Sequence, residues 1–205
     1  MRARKKAWAD PYLEAHGEFA IEEINRDDDF FLSTPLYLEV GVGKGDFIIG
    51  MASKHPGNYL GLERESNVLA VACKKAVDSG LENRIRLMRI DFDDAYESLV
   101  GLKFQAIFLN FSDPWPKRRH WKRRLTERNR LTKMASLLVE GGEIRVKTDN
   151  LDLYEFTLEE AKEAGLTIKL QEEVYEFDAE HDCMSEYESR FRAEGNPIHR
   201  AIITK

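Results

Sequence analysis

From Leu36 onward the chain alternates short apolar runs with longer amphipathic segments, and this alternation restricts it to a small set of architectures. Leu36 to Val40 reads as a buried strand, followed by a helix over Asp46 to Lys54 that ends near Pro56. Tyr59 to Leu62 reads as a second strand, followed by a helix over Asn67 to Asp78 that Gly80 can close. Arg84 to Ile90 gives a third strand, and Phe104 to Asn110 a fourth that is almost wholly apolar. Thr126 to Leu138 predicts a helix stopped by Gly141-Gly142, with a fifth strand over Glu143 to Lys147. A helix over Leu153 to Ala164 and strands near Thr167 to Tyr175 and His199 to Ile203 complete the series. Strands alternating with helices imply an α/β fold, a mainly parallel seven-stranded sheet with helices on both faces. Residues 1–34 precede the pattern as an extension with a basic start, leaving 35–205 as one domain.

With 205 residues, 42% of them hydrophobic and 33% charged, the chain can bury one ordinary core. No apolar run approaches the roughly 20 residues needed to span a bilayer, and Met1 to Trp8 lacks the apolar stretch of a secretory signal. The two cysteines, Cys73 and Cys183, form no Cys-x-x-Cys pair, which favours a reduced cytoplasmic setting over a disulfide framework. The histidines are scattered as well, so no metal is expected. A net charge of −6 argues against a generic nucleic-acid binder, which is usually basic. The charges are segregated, however. Bases gather at Arg2 to Lys6 and Lys117 to Arg130, and acids at Asp27 to Asp29 and Glu172 to Glu188, so a local positive surface remains open.

Glu39-Val40-Gly41-Val42-Gly43-Lys44-Gly45 falls where the first strand hands over to the first helix. Gly41, Gly43 and Gly45 let the backbone turn tightly and approach a ligand that a Cβ would block. The spacing Gly-x-Gly-x-Gly differs from the Gly-x-Gly-x-x-Gly that seats a pyrophosphate. It suits a nucleoside without phosphates, with Glu39 available to a cationic amino-acid end; an empty glycine-rich turn is the plain alternative. Glu63 ends the second strand about 20 residues on, where an acid can accept hydrogen bonds from both ribose hydroxyls. Asp91 ends the third strand and could meet an adenine amino group or simply cap the helix that follows. All three acids lie at the carboxyl edge, where open α/β sheets bind ligands.

Asn110-Phe111-Ser112-Asp113-Pro114-Trp115-Pro116-Lys117-Arg118-Arg119-His120 follows the fourth strand and reaches the same edge. Its two prolines fix φ and bias the residues before them toward extended geometry, which should make the loop stiff. A stiff acid beside an aromatic suits a flat base: the ring stacks while the carboxylate takes N–H donors. Lys117 to Arg130 then supplies eight Lys or Arg residues against one acid, Glu127, with Trp121 interleaved. A solvated helix normally spaces acids to pair with its bases. The excess here points to a polyanion, with a localisation-like tract or simple solubility as alternatives.

On these residues the chain closely resembles the bacterial tRNA (guanine-N7)-methyltransferase family. The matching pieces are Leu38 to Gly45, Gly61-Leu62-Glu63, Asn110 to Lys117, Lys147-Thr148-Asp149-Asn150 and Ser185-Glu186-Tyr187-Glu188. The resemblance implies a Rossmann-like class I S-adenosylmethionine-dependent methyltransferase acting on guanine 46 of the tRNA variable loop. It implies that Glu39, Glu63, Asp91 and Asp113 line the S-adenosylmethionine site. Lys117, Asp149 and Ser185 to Glu188 would face the guanine, and Arg119, His120, Trp121, Lys122, Arg123 and Arg124 the RNA. Ser185 stands where the family usually has Thr, which keeps the hydroxyl. A homodimer is compatible with the resemblance but not required by it.

Guanine N7 has a lone pair and no proton, so its methylation needs no general base at that atom. Carboxylates beside the ring would stabilise the positive charge that grows on the purine, with Asp113 the first candidate and Asp149 the second. A small-molecule methyltransferase of the same fold would have no use for the basic block. A noncatalytic RNA-binding module with a vestigial nucleotide pocket is the other alternative, against which the intact acids Glu39, Glu63 and Asp113 lean, and a dehydrogenase is disfavoured because the third glycine comes one residue too early.

Overall fold

The computed structural model describes residues 6–205, the side chain of Arg118 excepted. Of the basic start at Arg2 to Lys6, only Lys6 lies within the described residues. The chain forms two compact units, one built from Met1–Leu102 with Cys183–Glu186, the other from Lys103–Asp182 with Tyr187–Lys205.

The first unit contains α1 (Ala9–Ala15), β1 (Ala20–Ile21), α2 (Asp29–Leu32), β2 (Leu36–Val40), α3 (Asp46–Lys54), β3 (Asn58–Leu62), α4 (Ser66–Asp78), β4 (Ile85–Met88) and α5 (Phe92–Leu99). Its strands lie in the order β1-β4-β3-β2 and all pair in parallel. Successive residues Tyr59, Leu60, Gly61 and Leu62 are all buried, as expected for a parallel strand covered on both faces. Phe47, Ile48 and Met51 of α3 and Leu69, Ala72, Cys73 and Ala76 of α4 supply apolar cover. Within the described residues the extension packs on this unit, α1 against α4 and β1 beside β4. Asp28 caps α2 by accepting the Phe30 N–H at 2.9 Å, which sets Phe30 and Phe31 into the core. β1 pairs with β4, raising the strands among the described residues to eight from the expected seven. A two-residue strand carries too little periodicity to be seen in sequence.

Gly61 shows why the first unit needs a glycine within a strand. A Cβ there would lie 2.4 Å from Val42 Cγ2 and 2.8 Å from Leu87 Cδ2. Bare backbone at Gly61 therefore lets the Gly41–Gly45 turn settle onto β3, where Gly41 N–H and Val42 N–H donate to the Leu62 carbonyl at 2.8 and 3.0 Å.

The second unit contains β5 (Phe104–Asn110), a 3-10 helix (Arg118–Arg123), α6 (Arg128–Ser136), β6 (Leu138–Thr148), α7 (Leu151–Glu163), β7 (Thr167–Glu172), most of α8 (Glu186–Ala193) and β8 (His199–Thr204). Its strands lie in the order β5-β6-β8-β7, with β5 and β6 parallel and β8 antiparallel to both neighbours. Phe104, Ile107, Leu109, Ile144, Val146 and Ile203 are almost fully buried. Helix α6 is shorter than the sequence suggests, and β6 begins before Gly141-Gly142 instead of after it. The glycines mark a register shift opposite Phe104 to Ala106. There a Cβ on Gly142 would stand 3.0 Å from the Phe104 carbonyl oxygen, so they bend the strand rather than end an element.

Helix α7 is joined to the segment that enters α6 by a buried Thr157 to Thr126 hydroxyl bond of 2.9 Å, and to α6 by Arg128, which donates to both oxygens of Glu160 at 2.8 to 3.1 Å. Those bonds hold the Glu160 carboxyl below its usual range. A depressed folded pKa stabilises the fold above the ordinary carboxylate value near ~4.3 and loses that contribution as pH falls through the folded value. Two outcomes are expected from thermal melts. Glu160→Gln should lower the midpoint clearly at pH 7 and little at pH 3. Gly61→Ala should destabilise by about 1–3 kcal/mol, the range for an overpacked core.

Candidate functional site: a glycine turn, a strained loop and exposed bases

In the first unit the strand registers align Glu39 with Gly61 and Leu62 with Met88. Glu39, the glycine turn, Glu63 and Asp91 therefore leave from one carboxyl edge. Glu39 is 3% exposed at the end of β2, where water cannot screen a carboxylate. Gly41 and Gly43 have φ of +84° and +59°, and a Cβ on either would meet nothing within 4 Å. The space above the turn is open, which is the cradle a nucleoside ligand requires. Gly45 differs: a Cβ there would press on Ala72 at 2.9 Å, so this glycine seats α3 against α4. Glu63 accepts the Gly43 N–H at 3.0 Å and the Glu65 N–H at 3.0 Å, so its carboxylate is oriented at the turn. Asp91 accepts the Asp94 N–H at 3.0 Å and caps α5. The capping alternative left open by the sequence is therefore present in the fold.

The segment Cys183–Glu186 belongs to this unit. Cys183 packs on α3 so closely that a Cβ at Gly50 would lie 2.9 Å from its Sγ. Glu186 then pairs with Lys44 of the glycine turn at 2.7 Å, both side chains about half exposed. A cavity of about 670 Å³ lies beside the end of β4, with Asp10, Leu13 and Glu14 of α1 on one wall and Met88 to Ile90 on another.

In the second unit Asn110 is in register with Lys147, and Phe111 N–H donates to the Lys147 carbonyl at 2.8 Å. The Asp113 loop and Asp149 thus depart from adjacent strand ends. Phe111 and Trp115 have φ of +53° and +43°, a left-handed conformation that costs a bulky residue about 1–3 kcal/mol. Packing holds both. Phe111 stacks on Phe191 with ring centres 5.8 Å apart, Trp115 meets the edge of His120 at 5.9 Å, and the Arg123 guanidinium lies 4.9 Å from the Trp115 ring. Arg124 donates from Nε to the Pro114 carbonyl at 2.8 Å and pairs with Asp152. Asp113 is exposed on a loop fixed at both ends.

The basic block divides in two. Lys117, Arg119, Lys122 and Arg123 are exposed. Arg124, expected among the RNA contacts, is buried and anchors the loop through the Pro114 carbonyl. Arg128 pairs with Glu160 and Glu163, and Arg130 donates to the Lys122 and Arg124 carbonyls. The missing acids are on α7, about 30 residues away in sequence. His120 and Trp121 are half-buried, Trp121 against Phe156. Glu188, expected to face the guanine, is 0% exposed and paired with Lys147 and Arg192. Tyr187 beside it is 52% exposed. Among the described residues no cluster of His, Cys, Asp and Glu could hold a metal, and no helix is long and apolar enough to cross a membrane.

A solved S-adenosylmethionine-dependent O-methyltransferase from Thermotoga maritima superposes with a TM-score of 0.56 at 16% identity, covering 100% of this chain and 68% of that one. Such a likeness, with the open glycine turn and its ring of strand-end acids, defines the Rossmann-like fold of class I S-adenosylmethionine-dependent methyltransferases. A family model described as "Putative methyltransferase" matches residues 33–201. The tRNA (guanine-N(7)-)-methyltransferase of Limosilactobacillus reuteri is 41% identical, with 98% of each chain covered. That of Bacillus subtilis is 39% identical over 99% of this chain and 98% of its own. The chain belongs to the tRNA (guanine-N7)-methyltransferase family.

The split of the basic block is testable by melting. Arg124→Ala should destabilise by about 2 kcal/mol through lost buried, charge-assisted hydrogen bonds. Arg119→Ala, at an exposed side chain, should stay within about 0.5 kcal/mol, as for an ordinary surface change.

Proposed function

We propose that the protein transfers a methyl group from S-adenosylmethionine to N7 of a guanine in tRNA, at position 46 of the variable loop. The observation that carries this reading is the Asp113 loop: an exposed acid beside an aromatic, held in a strained turn and followed by exposed bases. A small-molecule substrate needs neither the bases nor the strain.

Glu39, Gly41, Gly43, Gly45, Glu63, Asp91 and Asp113 would hold S-adenosylmethionine, which supplies an electrophilic methyl group. Glu39, buried at a strand end, suits the ligand's cationic amine. The Glu63 carboxylate, already turned to the Gly43 N–H, suits vicinal ribose hydroxyls. Asp91 would reach the adenine amino group with a carboxylate that also caps α5. Asp113 and Asp149 would accept hydrogen bonds from guanine N1–H or the 2-amino group, stabilising the positive charge that develops on the ring. Lys117, Ser185, Glu186 and Tyr187 complete the guanine side in this reading. Arg119, Lys122 and Arg123 would contact phosphates, with His120 and Trp121 shaping that surface. The buried thiols Cys73 and Cys183, neither of them in a disulfide, suit a cytoplasmic setting.

Incubation with labelled S-adenosylmethionine and unmodified tRNA should yield 7-methylguanosine. Cofactor binding without transfer would contradict the reading. Asp113→Ala should reduce turnover by about 10²–10³, the range for a lost charge-stabilising contact, with a smaller loss of cofactor affinity. Near wild-type turnover at saturating cofactor would remove that role. Neutralising Arg119 or Arg123 should lower the slope of log affinity against log salt by about one unit each.

A further inference from the structure

Lys147 is the penultimate residue of β6 and is 4% exposed. A buried ammonium is tolerated only when it is fully paired. Its Nζ donates to both oxygens of Asp182, at 3.1 and 2.8 Å, and to Glu188 Oε2 at 2.7 Å. The other Glu188 oxygen accepts from Arg192 Nε at 3.0 Å. The Tyr175 hydroxyl donates to Asp182 Oδ2 at 2.9 Å and accepts the Asp178 N–H at 3.1 Å. Burial pushes that hydroxyl above its usual range, so it remains a donor. Lys147 and Arg192 thus face Asp182 and Glu188.

The cluster has a geometric consequence. Asp182 and Glu188 are six positions apart in sequence, yet both carboxylates lie within 3.1 Å of one nitrogen. The intervening chain, Cys183 to Tyr187, is drawn into a loop whose two ends meet at Lys147. The same residue stands two positions before Asp149. Well-packed apolar side chains would fill this volume at no loss of stability, but they would not fix both ends of a loop to one atom.

We propose that Lys147 is a positioning residue for the reaction: its ammonium clamps the Cys183 to Tyr187 loop so that Ser185, Glu186 and Tyr187 are presented preformed to the substrate base. This rests on the reading of that loop as guanine-facing. Preordering a recognition loop reduces the entropy lost on binding, so the clamp acts on tRNA and not on cofactor.

The test is the double variant Lys147→Met with Asp182→Asn, which removes one charge of each sign and leaves the Arg192–Glu188 pair intact. Its melting temperature should recover relative to Lys147→Met alone. Amide exchange over residues 183–187 should nevertheless rise about tenfold or more as the loop opens locally. The Michaelis constant for tRNA should rise about tenfold, with the cofactor dissociation constant within about threefold of wild type. Lys147→Arg, which keeps the charge, should recover part of the tRNA affinity and serves if the other variants fold poorly. Wild-type exchange and wild-type tRNA affinity in the double variant would overturn the proposal, as would parallel losses of tRNA and cofactor binding. Absence of 7-methylguanosine with the wild-type protein would instead sink the functional reading, while the exchange experiment still decides whether the clamp exists.

Discussion

Parallel pairing of β2, β3 and β4 fixes the first unit's chemistry, because it forces three strand ends onto one edge. Glu39, Glu63 and Asp91 are spread over more than 50 residues of sequence. Register alone aligns them. The glycine turn depends on the same pairing, since its N–H groups bond to the end of β3 and to Glu63. Gly61 makes that approach possible by carrying no side chain where Val42 must sit. One missing Cβ therefore connects strand packing to the shape of the glycine turn.

The second unit uses strain and buried charge in place of glycine. Two aromatic residues in the left-handed region would not persist on an isolated loop. Phe191, His120, Arg123 and Arg124 hold them, and three of these come from the sequence just after the loop. The stretch that resembles a uniform polyanion contact is therefore partly a brace. Its remaining exposed bases are where phosphates, which position a nucleic acid without specifying it, would be met.

The strands and the glycine turn were legible in sequence because apolar periodicity and glycine spacing are local signals. The family resemblance added Asp149 and Ser185 to Tyr187, which no local rule singles out. What escaped the sequence is long-range pairing. Arg124 and Arg128 look unpaired until α7 brings Asp152 and Glu160 beside them. Glu188 looks like a surface acid because its partners, Lys147 and Arg192, lie on β6 and one helical turn ahead. A lysine at the next-to-last position of β6, between Val146 and Thr148, is the hint that sequence offers, since an unpaired buried ammonium is not tolerated. The two-residue β1 is too short to show a periodicity, and β6 reads shorter in sequence than it is because Gly141-Gly142 signals a stop as readily as a bend.

The most direct measurement of the central claim is the position of the modification. A single tRNA transcript treated with protein and S-adenosylmethionine can be reduced with borohydride and cleaved with aniline, which breaks the chain at 7-methylguanosine. One cleavage at guanine 46, lost when that base is replaced by adenine, is the expected result. Cleavage at another guanine, or an intact transcript after verified cofactor binding, would contradict the account.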